Sequence, residues 1–425
     1  MKTKKTWAVI ALMMAAITAC SSSHETTADT PLETPETPLA NEDNERKDIE
    51  LTRSQTELVN NSNGFAFNLF RALHDDMGQT EKSYIISPIS ITYALGMLNN
   101  GAAGETQQQI NTVLGFGNNG VDSINNFCHK MLTEAPNLDK LTKVMIANTI
   151  YMNKNYKLKS SFVQTANTYY NAQPETRDFH DGQTLNVINQ WGSDHTEKMI
   201  EKVLNEQSFN PNAVSYLLNA IYFKGVWAKK FEKSNTQNEV FEGADQQVPM
   251  MHMEQKLNYT ETESCQAIRL PYGNHAYSMT ILLPKEGASL SAIVNSLTAE
   301  TWKQYQYMGT EQVDLKLPRF ESNTDVELNK IMSKLGMSKA FTDFAEFPYF
   351  CNVDTKIDLM KQVARIKLDE EGTEAAAVTV IGMVEATAIP SEPRRVVFHA
   401  NHPFLYVISE QSTGAIFFIG QYTGH

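Results

Sequence analysis

About fifty residues before its C-terminus the chain carries a run of small side chains, which restricts the possible folds more than any other feature. Residues 369–379 read Asp-Glu-Glu-Gly-Thr-Glu-Ala-Ala-Ala-Val-Thr. No proline follows until Pro390, so every backbone N–H in the run can donate to a neighbouring strand. At the two-residue period of a strand, one face carries only threonine and alanine, namely Thr373, Ala375, Ala377 and Thr379. The segment therefore predicts a strand that can be inserted into a sheet.

A surface helix is the alternative interpretation of the same residues. Three consecutive alanines after glutamates are good helix formers, and composition alone favours this helix. Gly372 supports the strand, because it follows a predicted strand at residues 363–368 and glycine can turn there without a Cβ clash. The local sequence leaves both interpretations open.

The wider sequence resembles the serpin family, and the segment around Gly372 is similar to the hinge of its inhibitory members. The residues that match the hinge are Glu370, Gly372, Thr373, Glu374, Ala375, Ala376 and Ala377. Further segments match in family order, at residues 63–70, 85–90, 93–98, 218–227, 248–251, 313–320, 335–337, 398–404 and 417–420. This resemblance favours the insertable strand over the helix.

The resemblance implies an α+β serpin fold with three β-sheets, about eight or nine helices and an exposed reactive-centre loop. Length alone would favour two or three domains, but the matches run without a break, so we expect one domain at residues 55–425. Five residues match the family's shutter and breach positions beside the main sheet: Ser87, Ser90, Asn219, Trp227 and Gln362.

Gln362 departs from the family pattern, because many animal serpins have histidine there. Glutamine both donates and accepts hydrogen bonds, so we expect the polar network beneath the sheet to persist. Since glutamine does not titrate, we expect this network to lack a pH response.

The resemblance also implies a suicide-type inhibitor of serine proteases, with cysteine proteases as a further target class. The target cleaves the loop, becomes acylated, and is carried away as the segment from Thr373 onward enters the main sheet. This mechanism implies a monomer that forms a 1:1 covalent complex, with no cofactor and no catalytic residues of its own. A non-inhibitory binding or scaffold serpin, a sacrificial substrate and a hydrolase are the alternatives.

Two counts place the scissile bond differently. Fourteen residues on from Gly372, the family spacing predicts cleavage between Ala386 and Thr387. Counting back from Pro403 gives a later bond, with Ala388 and Ile389 as the alternatives. The small side chain of Ala386 favours elastase-like targets. At the pair Arg394-Arg395 we expect trypsin to find a substrate, because the remaining tether would be too long to compress the enzyme.

The N-terminus predicts export and lipidation. Lysines precede an apolar run at residues 7–17, which is too short to cross a membrane but fits a signal peptide at residues 1–19. The run ends in Ile-Thr-Ala-Cys and resembles a bacterial lipobox with Cys20 as the lipidated residue; a eukaryotic secretory signal is the alternative. Residues 20–54, rich in Ser, Thr, Pro and acids, predict an extended tether. Ser21, the residue after this cysteine, does not resemble the aspartate signal for inner-membrane retention. It therefore favours the outer membrane of the cell envelope, on its periplasmic or surface face.

Composition excludes some partners. The net charge of -13 at pH 7 is unfavourable for nucleic acid. Between residues 121 and 143 the acids Asp122, Glu134 and Asp139 are mixed with lysines, so no basic stripe for heparin is expected. Besides Cys20 there are three cysteines without metal-ligand or redox spacing, and we expect buried free thiols at Cys128, Cys265 and Cys351.

Two motifs carry little functional weight. Residues 115–120 satisfy Gly-x-Gly-x-x-Gly, but they follow a predicted helix instead of a strand, so we expect a turn and not a dinucleotide site. Residues 250–253 read Met-Met-His-Met, which could suit a soft metal, yet neighbouring strand residues point to opposite faces. Neither His-Glu-x-x-His nor Gly-x-Ser-x-Gly occurs, and we expect no metal site and no enzyme.

Overall fold

The computed structural model describes residues 44–77, 82–117, 119–373 and 394–425. Within them lie nine α-helices and fifteen β-strands. The helices are α1 (Arg53–Asp76), α2 (Pro88–Asn99), α3 (Gly104–Val113), α4 (Val121–Glu134), α5 (Ser160–Tyr170), α6 (Thr184–His195), α7 (Leu290–Ser296), α8 (Ala299–Trp302) and α9 (Asn329–Lys334). The strands are β1 (Tyr84–Ile86), β2 (Thr142–Asn153), β3 (Glu175–Arg177), β4 (Ser215–Val226), β5 (Gln237–Glu239), β6 (Val248–Glu261), β7 (Cys265–Pro271), β8 (Tyr277–Pro284), β9 (Gly309–Pro318), β10 (Phe320–Glu327), β11 (Leu359–Asp369), β12 (Gly372–Thr373), β13 (Arg395–His399), β14 (Phe404–Glu410) and β15 (Ile416–Tyr422).

Two helices show how local sequence sets the framework. Helix α1 begins with a capping box, in which Thr52 accepts from the backbone N–H of Gln55 and the Gln55 side chain accepts from that of Thr52. Helix α2 begins at Pro88, the position where proline loses no helical hydrogen bond. All twelve residues of α2 are buried, because it runs through the core and packs on β2, β4 and β15.

The strands form two hydrogen-bonded sheets in the described part of the chain. The six-stranded main sheet has the order β10-β11-β12-β4-β2-β3, and the larger sheet has the order β1-β15-β14-β8-β7-β6-β9-β13, with β5 paired to β6. The three expected sheets appear as two because the long strand β6 pairs with β9 along most of its length and with β7 at its end. The core lies between the two sheets, where Phe223 meets the rings of Tyr272, Tyr277 and Phe418.

Strands β11 and β4 of the main sheet are separated at one end and paired directly along the rest. Strand β12 lies between the ends of β11 and β4, with Thr373 opposite both Leu368 and Gly225. Further along, β11 and β4 pair directly in parallel, and this pairing ends with Leu359 opposite Tyr216. A second, smaller core on the other face of this sheet includes Ile188 of α6.

The folded domain extends further toward the N-terminus than the predicted boundary at residue 55. Ile49 is buried, and its N–H donates to Ser412 Oγ across 2.9 Å. Asn44 Nδ2 donates to Asp139 Oδ1 across 2.8 Å. The predicted signal peptide and Cys20 lie outside the described residues. None of the described helices has the length and apolar character needed to cross a bilayer.

The expected buried thiols are confirmed, since Cys128, Cys265 and Cys351 are buried and free. Burial raises the pKa of the Cys128 and Cys265 thiols to about 12, which keeps both protonated and unreactive.

In the structure, the glycine motif at residues 115–120 follows a helix, and the Met-Met-His-Met motif at residues 250–253 lies in strand β6. Gly115 and Gly117 follow helix α3 and have φ angles of 69° and 56°, as expected for a turn after a helix. His252 lies on β6, and its Nε2 is 2.9 Å from Asp314 Oδ1. The described ranges contain no group of three His, Cys, Asp or Glu side chains arranged to hold a metal ion.

Candidate functional site: hinge, breach and shutter of the main sheet

The hinge turns at a position that only glycine fits. Gly372 has a φ angle of 147°, and a Cβ on it would lie 2.1 Å from the carbonyl oxygen of Gly225. That separation is far below any real contact, so a side chain would push β12 out of the sheet. The bend expected at Gly372 is therefore enforced by close backbone packing.

Thr373 is the first side chain beyond the bend, and it is already buried in the sheet. Its Oγ1 lies 2.8 Å from the hydroxyl of Tyr272. Tyr272 stacks on Trp227, with ring centroids 4.4 Å apart and ring planes 9° from parallel. Burial raises the pKa of Tyr272, so its hydroxyl stays protonated and available to Thr373.

The breach residue Trp227 also holds the backbone that leads into the hinge. Its indole Nε1 donates to the carbonyl of Asp369 across 3.0 Å, and its backbone N–H donates to the carbonyl of Glu371 across 2.8 Å. The N–H of Phe231 donates to the carbonyl of Glu370 across 2.9 Å. The two glutamates before Gly372 are therefore fixed by the segment that follows β4.

Glu370 is a buried carboxylate with two side-chain partners. Thr236 Oγ1 donates to its Oε1 across 2.6 Å, and Arg319 Nη2 forms an ion pair with the same oxygen. Burial raises the pKa of Glu370, but the hydrogen bonds from Arg319 and Thr236 outweigh burial and hold the pKa below its usual value. The carboxylate is therefore ionised at neutral pH and ties the end of β11 to its surroundings.

Glu371 is anchored by two lysines from the turn after β4. Lys230 Nζ lies 2.5 Å from Glu371 Oε2, and Lys233 Nζ lies 3.2 Å from Oε1. The hydrogen bond from Lys230 lowers the pKa of the Glu371 carboxyl, and Lys233 adds to this effect. Sequence reasoning missed Arg319, Lys230 and Lys233, because these partners come from distant segments and have no local signature.

The shutter residues meet where β11 and β4 pair. Gln362 lies directly opposite Asn219, and Gln362 Nε2 donates to Asn219 Oδ1 across 2.6 Å. Gln362 also accepts from the backbone N–H of Ser87 at 2.9 Å and donates to its carbonyl at 3.0 Å. Asn219 Nδ2 in turn donates to Ser90 Oγ. The four residues matched to the shutter are thus brought together in one buried network.

Asn148 of β2 extends this network and was missed from sequence. Asn219 Nδ2 donates to Asn148 Oδ1 across 2.6 Å, and the two residues are opposite one another in the β2–β4 ladder. An asparagine in the middle of a largely buried strand was its only signal. Ser87 Oγ and Asn148 Nδ2 are buried without a hydrogen-bond partner. The network therefore has unused donors and acceptors when β11 and β4 are paired.

Glu374, Ala375, Ala376 and Ala377 of the hinge, and the candidate cleavage residues Ala386, Thr387, Ala388 and Ile389, lie outside the described residues.

Charged side chains bind the residues that follow the loop, Arg394 and Arg395, which we call the foot of the loop. Arg395 begins strand β13, which pairs in parallel with β9, and Arg395 Nε lies 3.1 Å from Glu254 Oε1. Arg394 Nη2 lies 2.8 Å from Glu261 Oε1, and its guanidinium lies 5.7 Å from the centre of the Tyr259 ring. Both arginine side chains stay mostly exposed, so the expectation that trypsin finds a substrate here stays a prediction.

Comparison with known proteins agrees with this architecture. The family model described as Serpin (serine protease inhibitor) matches residues 60–424. Serpin B4 of Homo sapiens is 32% identical over 384 residues, which cover 84% of this chain and 97% of that protein. An uncharacterised serpin-like protein of Methanosarcina mazei is 28% identical over 378 residues, covering 86% of this chain and 87% of that protein.

Solved structures show the same fold. The thermophilic serpin tengpin in its native state superposes with a TM-score of 0.78 at 29% identity, covering 89% of this chain and 96% of that chain. Thyroxine-binding globulin in complex with thyroxine gives a TM-score of 0.76 at 26% identity, covering 86% and 99%. Because the family model matches residues 60–424 and Serpin B4 is 32% identical over 84% of the chain, the chain belongs to the serpin family.

Proposed function

We propose that this serpin inhibits serine proteases, with cysteine proteases as a further target class, by cleavage and insertion of its reactive-centre loop. A protease serine hydroxyl attacks the carbonyl of Ala386, the bond to Thr387 breaks, and the Thr387 amine leaves with the proton. An ester then joins Ala386 to the protease. Insertion of the segment from Thr373 must pull the enzyme away before water cleaves that ester.

The observation that carries this proposal is the strand register around β12. Thr373 pairs with Leu368 on one side and Gly225 on the other. If both antiparallel ladders continue residue by residue, Gly382 faces Leu359 of β11 and Tyr216 of β4. Those two residues already face each other in the closed part of the sheet. The strands therefore need only move apart to admit the new strand, and neither has to slide.

The side chains of the segment suit this position. The buried face that Thr373 already occupies would receive Ala375, Ala377 and Thr379, which are small enough to enter quickly. Thr379 would come to lie between Gln362 and Asn219, where its hydroxyl can both donate and accept. A strand of about ten residues replaces one ladder with two, and at about 0.5–1.5 kcal/mol for each net hydrogen bond this releases about 5–15 kcal/mol.

The end of the ladder also helps to choose between the candidate positions of the scissile bond. Leu359 and Tyr216 lie near the closed end of the sheet, so insertion stops near Gly382. Ala386 is four residues further, which allows about 13 Å of extended chain between the sheet and the protease. Cleavage after Ala388 or Ile389 would lengthen this tether by about 3.3 Å for each residue. The geometry therefore supports Ala386, whose small side chain favours elastase-like enzymes.

We further propose that Cys20 carries the lipid of a cell-envelope lipoprotein, with residues 20–43 as the tether. The lipobox-like sequence and the acidic, proline-containing segment after it support this. The variant Cys20→Ser should leave the membrane fraction and keep full inhibitory activity. Retention of the variant in that fraction would remove Cys20 as the anchor.

Incubation with an elastase-like protease tests the inhibitory proposal. We expect a 1:1 covalent complex that survives denaturing electrophoresis, and mass spectrometry of the released peptide should place its new N-terminus at Thr387. Complete loop cleavage without a complex would show a substrate and not an inhibitor. A peptide beginning after Ala388 or Ile389 would move the bond but preserve the mechanism.

A further inference from the structure

Two lysines border the place in the main sheet where the described part of the hinge ends. Strand β12 ends at Thr373, which forms antiparallel pairs with β11 on one side and β4 on the other. If each ladder continues by a single residue, Glu374 comes to lie opposite Lys367 of β11 and Lys224 of β4. We call Lys224 and Lys367 the lysine pair.

The lysine pair lies on the face of the sheet that Glu374 would occupy. Successive strand residues point to opposite faces, so Glu374 and Thr373 lie on different faces. Leu368 and Gly225, the partners of Thr373, are buried, whereas Lys367 is exposed and Lys224 is half-buried. The side chain of Glu374 would therefore meet both ammonium groups on the solvent side.

The lysine pair has no acidic partner among the described residues, unlike other basic side chains on the same face. Lys143, which is opposite Lys224 in the β2–β4 ladder, has its Nζ 2.6 Å from Glu197 Oε1. Arg365 Nη2 lies 2.5 Å from Glu321 Oε1. Neither lysine of the pair forms such a contact with a described residue. Two unpaired positive charges thus stand on the two sides of the position that Glu374 would take.

Glu374 can reach this position before β4 and β11 separate further. Direct pairing of these strands begins with Arg365 opposite Tyr222, two residues beyond the lysine pair on each strand. Continued residue by residue, the ladders place Ala376 opposite Arg365 and Tyr222. Glu374 and Ala375 therefore enter without breaking a β4–β11 pair, and Ala376 is the first residue that has to break one.

We propose that the lysine pair receives the carboxylate of Glu374 in the first step of insertion and so positions the hinge in register. This inference rests on the proposed inhibitory function. A carboxylate between two ammonium groups is attracted by both, and it offsets the repulsion between them. This attraction acts before the first β4–β11 pair breaks, so it favours the step that must precede hydrolysis of the acyl bond. Lys224 and Lys367 are thus positioning residues for insertion.

The test counts the inhibitor molecules that are consumed for each molecule of an elastase-like protease inactivated. Lys224→Gln with Lys367→Gln should raise this number at least threefold, because more loops are hydrolysed before they insert. Lys224→Glu with Lys367→Glu should raise it further, since Glu374 then meets two like charges. Addition of Glu374→Lys to that double glutamate variant should return the number to within about twofold of the parent. A merely structural role of the two lysines would give no such rescue.

Lys256→Gln is the matched control, because Lys256 is an exposed lysine on strand β6 of the other sheet. It should keep the parental number, and melting of each intact variant checks its folding. A parental number for the double glutamine variant, or no rescue by Glu374→Lys, would overturn the inference.

Absence of a covalent complex in the parent would remove the proposed function, and melting of loop-cleaved protein then tests the lysine pair separately. Cleavage should raise the melting temperature of the parent by several degrees more than that of the double glutamine variant. An equal rise in both proteins, or no rise in either, would overturn the role of the lysine pair.

Discussion

Gln362 and Asn219 join β11 to β4 through a side-chain hydrogen bond of 2.6 Å, at the middle of the two strands that the proposed insertion separates. The same glutamine is held by the backbone of Ser87 on helix α2's N-terminal side. The bond between strands therefore depends on a residue that is fixed from below the sheet. Separation of the strands has to break this bond before a new strand can replace it.

Replacement of Gln362 tests this bond. Gln362→Ala should lower the free energy of unfolding of the intact protein by about 1–3 kcal/mol, because buried partners on Ser87 and Asn219 lose their hydrogen bonds. Gln362→His is the matched variant, since neutral histidine still donates and accepts. A buried histidine would have a lower pKa in the folded protein than in the unfolded chain. The free energy of unfolding of this variant should therefore fall as the pH drops below about 6.5. Thermal melting between pH 5 and pH 8 would reveal this; a pH profile identical to the parent's would contradict the buried position of residue 362.

Thr373→Arg should convert the inhibitor into a substrate. Thr373 is fully buried beside Tyr272, so an arginine at this position would need to bury a charge without a partner, at a cost of several kcal/mol. Gel electrophoresis should show loop cleavage at the normal rate with little covalent complex. Thr373→Ser keeps the hydroxyl and should keep the complex yield. An unchanged yield for the arginine variant would remove the hinge assignment.

Glu370 should stabilise the fold in a pH-dependent way. Its pKa is lower in the folded protein than in the unfolded chain, so it stabilises the fold above the ordinary glutamate pKa of about 4.3. This contribution is lost as the pH falls through the lower folded-state value. Glu370→Gln should therefore melt below the parent at pH 7, and the difference should narrow below about pH 4. Arg319→Gln removes the same ion pair and should behave alike. A difference that stays constant from pH 3 to pH 7 would argue against this ion pair.

Ala386→Arg should redirect inhibition toward trypsin-like enzymes. Their primary pocket carries a buried carboxylate that pairs with a guanidinium, while the inserted segment of the serpin is unchanged. Arg394 and Arg395 form exposed ion pairs with Glu261 and Glu254, and trypsin cleavage there should give a substrate and no complex in either protein. The covalent complex yield with trypsin, measured for parent and variant, checks this prediction. Ready cleavage of the parent at Arg394 without a complex would show that the foot opens easily.

Local sequence predicted the bend at Gly372, which depends only on neighbours in the chain. The run of small residues after it left a strand and a helix open, and the family resemblance favoured the strand. The resemblance to the family located the shutter, yet Asn148 was missed because its role follows from the register of β2 against β4. The ion pair of Arg319 with Glu370 joins residues 51 apart in sequence and has no local pattern. Burial of Ile49 and exposure of Phe344 were likewise unpredictable, because each depends on packing between distant segments.

Leu359 and Tyr216 are in register with the hinge, so a ladder continued from Thr373 ends at Gly382. The residues up to Gly382 must fit this ladder, whereas the later residues of the loop do not pair in it, and the two parts therefore differ in their freedom to evolve. One inserted or deleted residue before Gly382 would turn every later side chain to the opposite face of the sheet, so length in this part is constrained. Beyond the ladder no side chain has to keep a given face, but the tether to the scissile bond must still stay short. We therefore expect relatives of this serpin to acquire new protease targets by changing the residues around position 386 and the length of the loop after the scissile bond, while the number of residues between the hinge and that bond stays the same.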